Sequence, residues 1–100
     1  MEPAAVSPEE LETLLEDALL QDDGESLREL FEHGRVRVTG TGAVVEGGPA
    51  AAVLAEHGFV TSGSPVRVSP DIAIGSGPVV TVSRRGVDHY WRLLVVVVPA

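Results

Sequence analysis

Leucines and acids alternate in blocks along SPEELETLLEDALLQDD. Leu11, Leu14, Leu15, Ala18 and Leu19 recur at intervals of three and four, which predicts an amphipathic helix with one apolar stripe. Ser7 is placed to cap it, Pro8 suits its first position, and Glu10 completes a capping box. Glu9, Glu12, Glu16 and Asp17 fall off the stripe and read as a solvated, acidic face. Asp22, Asp23 and Gly24 break this helix. ESLRELFEHG then predicts a second, shorter helix with Asp23 as N-cap, Leu27, Leu30 and Phe31 on its buried side, and Gly34 as its stop.

After Gly34 the period falls to two. RVRVT alternates as a half-buried strand, with Val36 and Val38 on one side and Arg35, Arg37 and Thr39 on the other. GTG at 40–42 predicts a turn, AVVEG a further extended run, and GGPAAAVLAEHG a brief third helix that ends at Gly58. From Phe59 onward only strands are expected: FVTS, VRVS, DIAIGS, VVTVSRR and HYWRLLVVVV, separated by turns such as GSGP and RGVD. The last two runs form a candidate antiparallel hairpin about RGVD. Helices first and a meander of strands after define an α+β class, with helices on one face of an antiparallel sheet.

One hundred residues, 44% of them hydrophobic, suit one globular domain spanning 1–100. Without cysteine, disulfides, thiolate metal sites and a cysteine nucleophile all drop out. Charge is split unevenly within the net -8. Eleven acids face the single base Arg28 up to His33, leaving -10 there, while four acids meet six arginines beyond it, leaving +2. An acidic helical half argues against nucleic acid as a partner. The seven basic residues are all arginine, which reads as the coding bias of a GC-rich bacterial genome. No basic and apolar leader opens the chain, so the expected location is cytoplasmic.

The order of these pieces resembles the nuclear transport factor 2-like superfamily, in its SnoaL-like branch. The resemblance spans nearly the whole chain. It is carried by DDGESLRELFEHG, by VVEGGPAAAVL leading into a short helix, and by DIAIGSG, VVTVSRRG and HYWRLLVVVV in that order. It implies a cystatin-like cone, in which a curved antiparallel sheet wraps two to three N-terminal helices and leaves a pocket at one end. Members include ketosteroid isomerase, polyketide cyclases, dehydratases, binding subunits and regulatory domains fused to sigma factors, and many pair through the outer sheet face. Fold alone names no reaction among these.

An isomerase of that type uses a carboxylate base and an oxyanion hole of Tyr and neutral acid. The resemblance places the Tyr on the first helix, which has none, and the base on the strand after the second helix, which reads RVRVT. Asp71 and Asp88 are the acids left for the third role, and both suit turns. His33 and His57 each precede a glycine at a helix end, where a positive ring meets the helix dipole. His89, beside Asp88 at the start of the last strand, is the best of the three for acid–base work. His89 and Asp71 are therefore the low-ranking catalytic candidates. The scattered histidines lack the spacing of a metal site, GSGP is not a nucleophile elbow, and no cofactor is implied.

What remains is a set of arginines on alternating strands. Arg37, Tyr90 and Arg92 are candidate ligand-binding residues for a small acidic or polar aromatic molecule, should their sides face the cone. In the last strand, Trp91, Leu93, Val95 and Val97 are expected in the core. Leu94, Val96 and Val98 would then lie on the outer face as the core of a homodimer interface, where Val96→Lys would yield a folded monomer. The six-residue apolar run is too short to span a membrane. The leading expectation is a dimeric pocket domain that binds a small molecule or serves as an interaction module. The alternatives are a cofactor-independent isomerase, cyclase or dehydratase acting on a small hydrophobic substrate, and a regulatory domain like those attached to sigma factors.

Overall fold

A computed structural model describes residues 5–40, 44–57, 65–76 and 79–98. The expected FVTS strand and part of the GTG and GSGP turns lie outside them. Helix α1 runs Pro8–Leu20, α2 Gly24–Glu29 and α3 Gly48–His57. The strands are β1 Arg37–Thr39, β2 Val45–Glu46, β3 Val66–Ser69, β4 Ile72–Ser76, β5 Val80–Arg85 and β6 Trp91–Val97. They form one mixed sheet ordered β2-β1-β6-β5-β4-β3. The class is α+β.

Both helix starts follow from their caps. The Glu10 N–H donates to Ser7 Oγ at 3.1 Å, and the Val6 N–H to Glu10 Oε1 at 3.3 Å. For α2, Asp23 Oδ1 accepts from the Ser26 N–H at 3.1 Å, and Asp23 Oδ2 from the Ser26 hydroxyl at 2.7 Å. These bonds, led by the Ser26 hydroxyl, hold the Asp23 carboxyl below its ordinary pKa. Helix α2 stops well short of Gly34. Phe31 turns extended and bridges Leu93 in parallel, and the Leu93 N–H donates to the Leu30 carbonyl at 2.7 Å. A three-residue 3-10 turn, Glu32–Gly34, follows, with His33 in the left-handed region at φ 61. His33 therefore sits in a tight turn and not at the end of an α-helix.

The same chain segment continues into β1, which runs parallel to β6, with Val38 opposite Val96. The sheet is thus not wholly antiparallel as expected. The reason is topological: β6 enters between β1 and β5, and the long return from β1 fixes their relative direction. Gly47, at φ 75, turns the chain from β2 into α3, and its N–H donates to the Val36 carbonyl at 2.9 Å.

The core lies on one face of the sheet. Leu11, Leu15, Leu27, Leu30, Phe31 and Leu54 pack there with Val36, Val38, Ala73, Trp91, Leu93 and Val96. The expected alternation along β6 fails at one point. Val82 pairs with Val95 and Ser83 with Leu93, which leaves Leu94 as the extra residue of a β-bulge. Beyond it every side chain changes face. Val96 is 0% exposed and Val98 packs against the core, whereas Val95 and Val97 are only part-buried. Of the outer-face residues expected from the sequence, Leu94 is the displaced bulge residue, and Val96 and Val98 belong inside.

The face away from the core keeps an apolar row. Val66 pairs with Ile74, Ile74 with Val82 and Val82 with Val95. Val66 is 62% exposed and the other three are part-buried. No described element buries them. Among the described residues no helix is long and apolar enough to cross a membrane.

Candidate functional site

The β5–β6 hairpin and the Glu32–Gly34 turn together build a charged groove. β5 carries Arg84 and Arg85 to opposite faces. The turn that follows is closed by the Gly86 N–H donating to the Tyr90 carbonyl and the His89 N–H to the Gly86 carbonyl, at 2.8 and 3.0 Å. Asp88 organises its far side. Its Oδ1 accepts from the Tyr90 N–H at 3.1 Å, and its two oxygens take both arms of the Arg92 guanidinium at 3.1 and 2.6 Å. The Arg92 bonds first, and the Tyr90 N–H second, draw the Asp88 carboxyl down to about 2.

Arg84 forms a second fork. Its Nε and Nη2 donate to Glu32 Oε2 and Oε1 at 2.8 and 2.6 Å, which raises its already high pKa. Arg85 binds Asp71 Oδ1 through Nη2 at 2.7 Å, and the Arg85 N–H donates to the Asp71 carbonyl at 2.8 Å. Glu32, His33, Arg84, Arg85, Asp88 and Arg92 thereby line a groove of about 620 Å³. An adjoining groove of about 410 Å³ shares Glu32 and His33 and adds Arg35, Arg37 and Glu46. There Arg35 and Arg37 both reach Glu46, at 3.2 and 3.8 Å.

The expected site residues are thus gathered unevenly. Arg92 lines the larger groove, Arg37 the smaller, and Asp71 touches the first only through Arg85. Tyr90 lines neither and is 39% exposed. His89 stands outside the strand, exposed at φ 69 in the turn, and the carboxylate beside it is committed to Arg92. His57 closes α3, and its side chain lies outside the described residues. Glu32 and Arg84 went unseen in the sequence, and His33 was read only as a helix end, because their meeting joins residues about fifty positions apart. The only local signal was Arg84 standing on the same strand face as apolar Val80 and Val82.

Glu12 overturns the expectation of a fully solvated acidic helix face. It is 3% exposed, and Thr81 Oγ1 donates to its Oε2 at 3.4 Å. Strands β4 and β5 cover this flank of α1, and Gly75 of β4 gives the carboxylate its room, since a Cβ there would meet Glu12 Oε2. Buried Thr81 and Ser83 add hydroxyls to the same sheet face. Trp91 is buried as expected, with the Arg67 guanidinium 5.3 Å above its ring.

Fold and site define an α+β chain with a rim of paired arginines and, among the described residues, one buried carboxylate. No family model, no curated protein and no solved structure matches the chain.

Proposed function

We propose that the chain is a small homodimeric domain of the nuclear transport factor 2-like, SnoaL-like type, cytoplasmic and bacterial, which binds a small molecule or serves as an interaction module. The observation that carries the dimer is the row Val66, Ile74, Val82 and Val95 on the outer sheet face, which no element among the described residues covers. A contiguous exposed apolar row favours a partner. The molecule's longer extents are 30 and 29 Å. An outline of that size can hold the roughly 800 Å² per partner that a standard interface buries. Two like sheets stacked face to face satisfy this row with no other component.

A second reading draws on Glu12. A buried carboxylate that accepts from the Thr81 hydroxyl is the kind of group that an isomerase, cyclase or dehydratase working by proton transfer requires, and it stands on a different element from those searched for in the sequence.

Light scattering at micromolar concentration tests the dimer. The expected mass is near twice 10.5 kDa. Val82→Lys, which places a charge in the middle of the row, should leave a folded monomer. A monomeric parent, or a dimer indifferent to Val82→Lys, overturns the reading.

A further inference from the structure

We propose that the groove beside the β5–β6 hairpin is a binding site for a small oxyanion, a phosphate monoester or a dicarboxylate, held by the guanidinium forks of Arg84 and Arg92. The inference rests on the small-molecule arm of the function proposed above and assigns it a place and a ligand class.

Register supplies the first reason. Arg84 and Arg92 are direct cross-strand partners on the same face of β5 and β6. Like charges directly opposite one another destabilise a sheet pair unless anions neutralise them, and this pair sets two guanidinium forks side by side. In the structure each fork is occupied by an internal carboxylate, Glu32 on Arg84 and Asp88 on Arg92, in the two-pronged geometry that an external oxyanion takes.

Charge distribution supplies the second. In a chain of net charge -8, five of the seven arginines, Arg35, Arg37, Arg84, Arg85 and Arg92, line two adjoining grooves that share Glu32 and His33. Glu32, Glu46 and Asp88 line the same grooves and Asp71 pairs with Arg85, so the five arginines leave one net positive charge there in an otherwise acidic chain. Space supplies the third. The larger groove, about 620 Å³, is of small-ligand size. Gly86 keeps the Arg92 arm accessible along the backbone, because a Cβ at 86 would lie 3.0 Å from Arg92 Nη1 and 2.9 Å from Asp88 Oδ1.

Binding then proceeds by exchange: ligand oxygens replace the Glu32 and Asp88 carboxylates on the two forks, and those carboxylates turn to water, which both already reach. An exchange mechanism makes a prediction opposite to that of a purely structural ion pair. Removing the internal competitor should tighten ligand binding.

The test is an NMR titration of the full chain with inorganic phosphate and, separately, succinate, at constant ionic strength against sodium chloride, following the Nε–Hε signals of Arg84 and Arg92. Expected are saturable shifts with at least one probe. Affinity should fall roughly tenfold in Arg84→Gln and in Arg92→Gln, about as much in Arg84→Lys, which keeps charge and loses the fork, and rise several-fold in Glu32→Gln. Saturation by phosphate alone assigns a phosphoryl group, and saturation by succinate alone a dicarboxylate. Linear shifts equal to those of chloride, or a Glu32→Gln variant that binds no better than the parent, overturn the proposal. The dimer is judged by mass alone, and a small molecule bound elsewhere in a chain whose groove ignores both probes leaves the broader reading standing.

Discussion

Gly75 and Glu12 depend on each other. The glycine leaves room for the carboxylate against Thr81, because a Cβ at 75 would meet both Glu12 Oε2 and Thr81 Oγ1. Gly75→Ala should therefore force Glu12 out of place and lower stability by about 1–3 kcal/mol, as overpacking does, read from the urea midpoint. Asp88 is a residue-scale case of the opposite kind, exposed but tightly engaged. Its folded pKa of about 2 lies below the usual ~3.9, so its pairing with Arg92 contributes fully above that ordinary value and is lost as pH falls through the folded one. A carboxyl-carbon NMR titration should show a midpoint near 2. Arg92→Gln should move that midpoint up toward ~3.9, and an unchanged midpoint would assign the shift to the Tyr90 N–H.

Among the elements, β6 shows how one residue redirects a surface. Period-two reading places Val95 and Val97 inside and Val96 and Val98 outside. The bulge at Leu94 reverses both pairs. Val96→Lys would bury an unpaired charge in the centre of the core, and a loss on the order of 4 kcal/mol or more is expected, enough to unfold a small domain. Val95→Lys should fold. Circular dichroism melts of the two variants give the comparison, and a stable Val96→Lys protein would show that the bulge does not persist in solution. Helix α2 carries a similar lesson. Its apolar spacing continues through Phe31, yet the backbone groups of Leu30 and Phe31 pair with β6, so a tertiary partner ends the helix where local pattern would extend it.

At the scale of the whole molecule, three helices lie against one face of a six-stranded sheet and the other face keeps its apolar row. The acidic part of the chain supplies α1 and α2, and the arginine-bearing part supplies α3 and the strands of the sheet. Glu32, the last acid of the first half, meets Arg84 of the second, so the groove forms where the two halves join. A dimer through the uncovered face would set Arg84 and Arg92 at the polar rim of its interface, beside the apolar row that they flank.

Local chemistry was legible in the chain itself. The two N-caps, the first and third helices, the final hairpin, the buried Trp91 and the α+β class all follow from side chains acting within a few residues of one another. Tertiary structure alone decided the parallel β1–β6 pair, the early end of α2, the reversed face of Val96, the burial of Glu12 and the meeting of Glu32 with Arg84. Each of these depends on a partner distant in sequence, and a hydrogen bond or packing contact across the sheet outweighs local preferences worth a fraction of a kcal/mol per residue, about 0.7 at most for ordinary side chains in a helix.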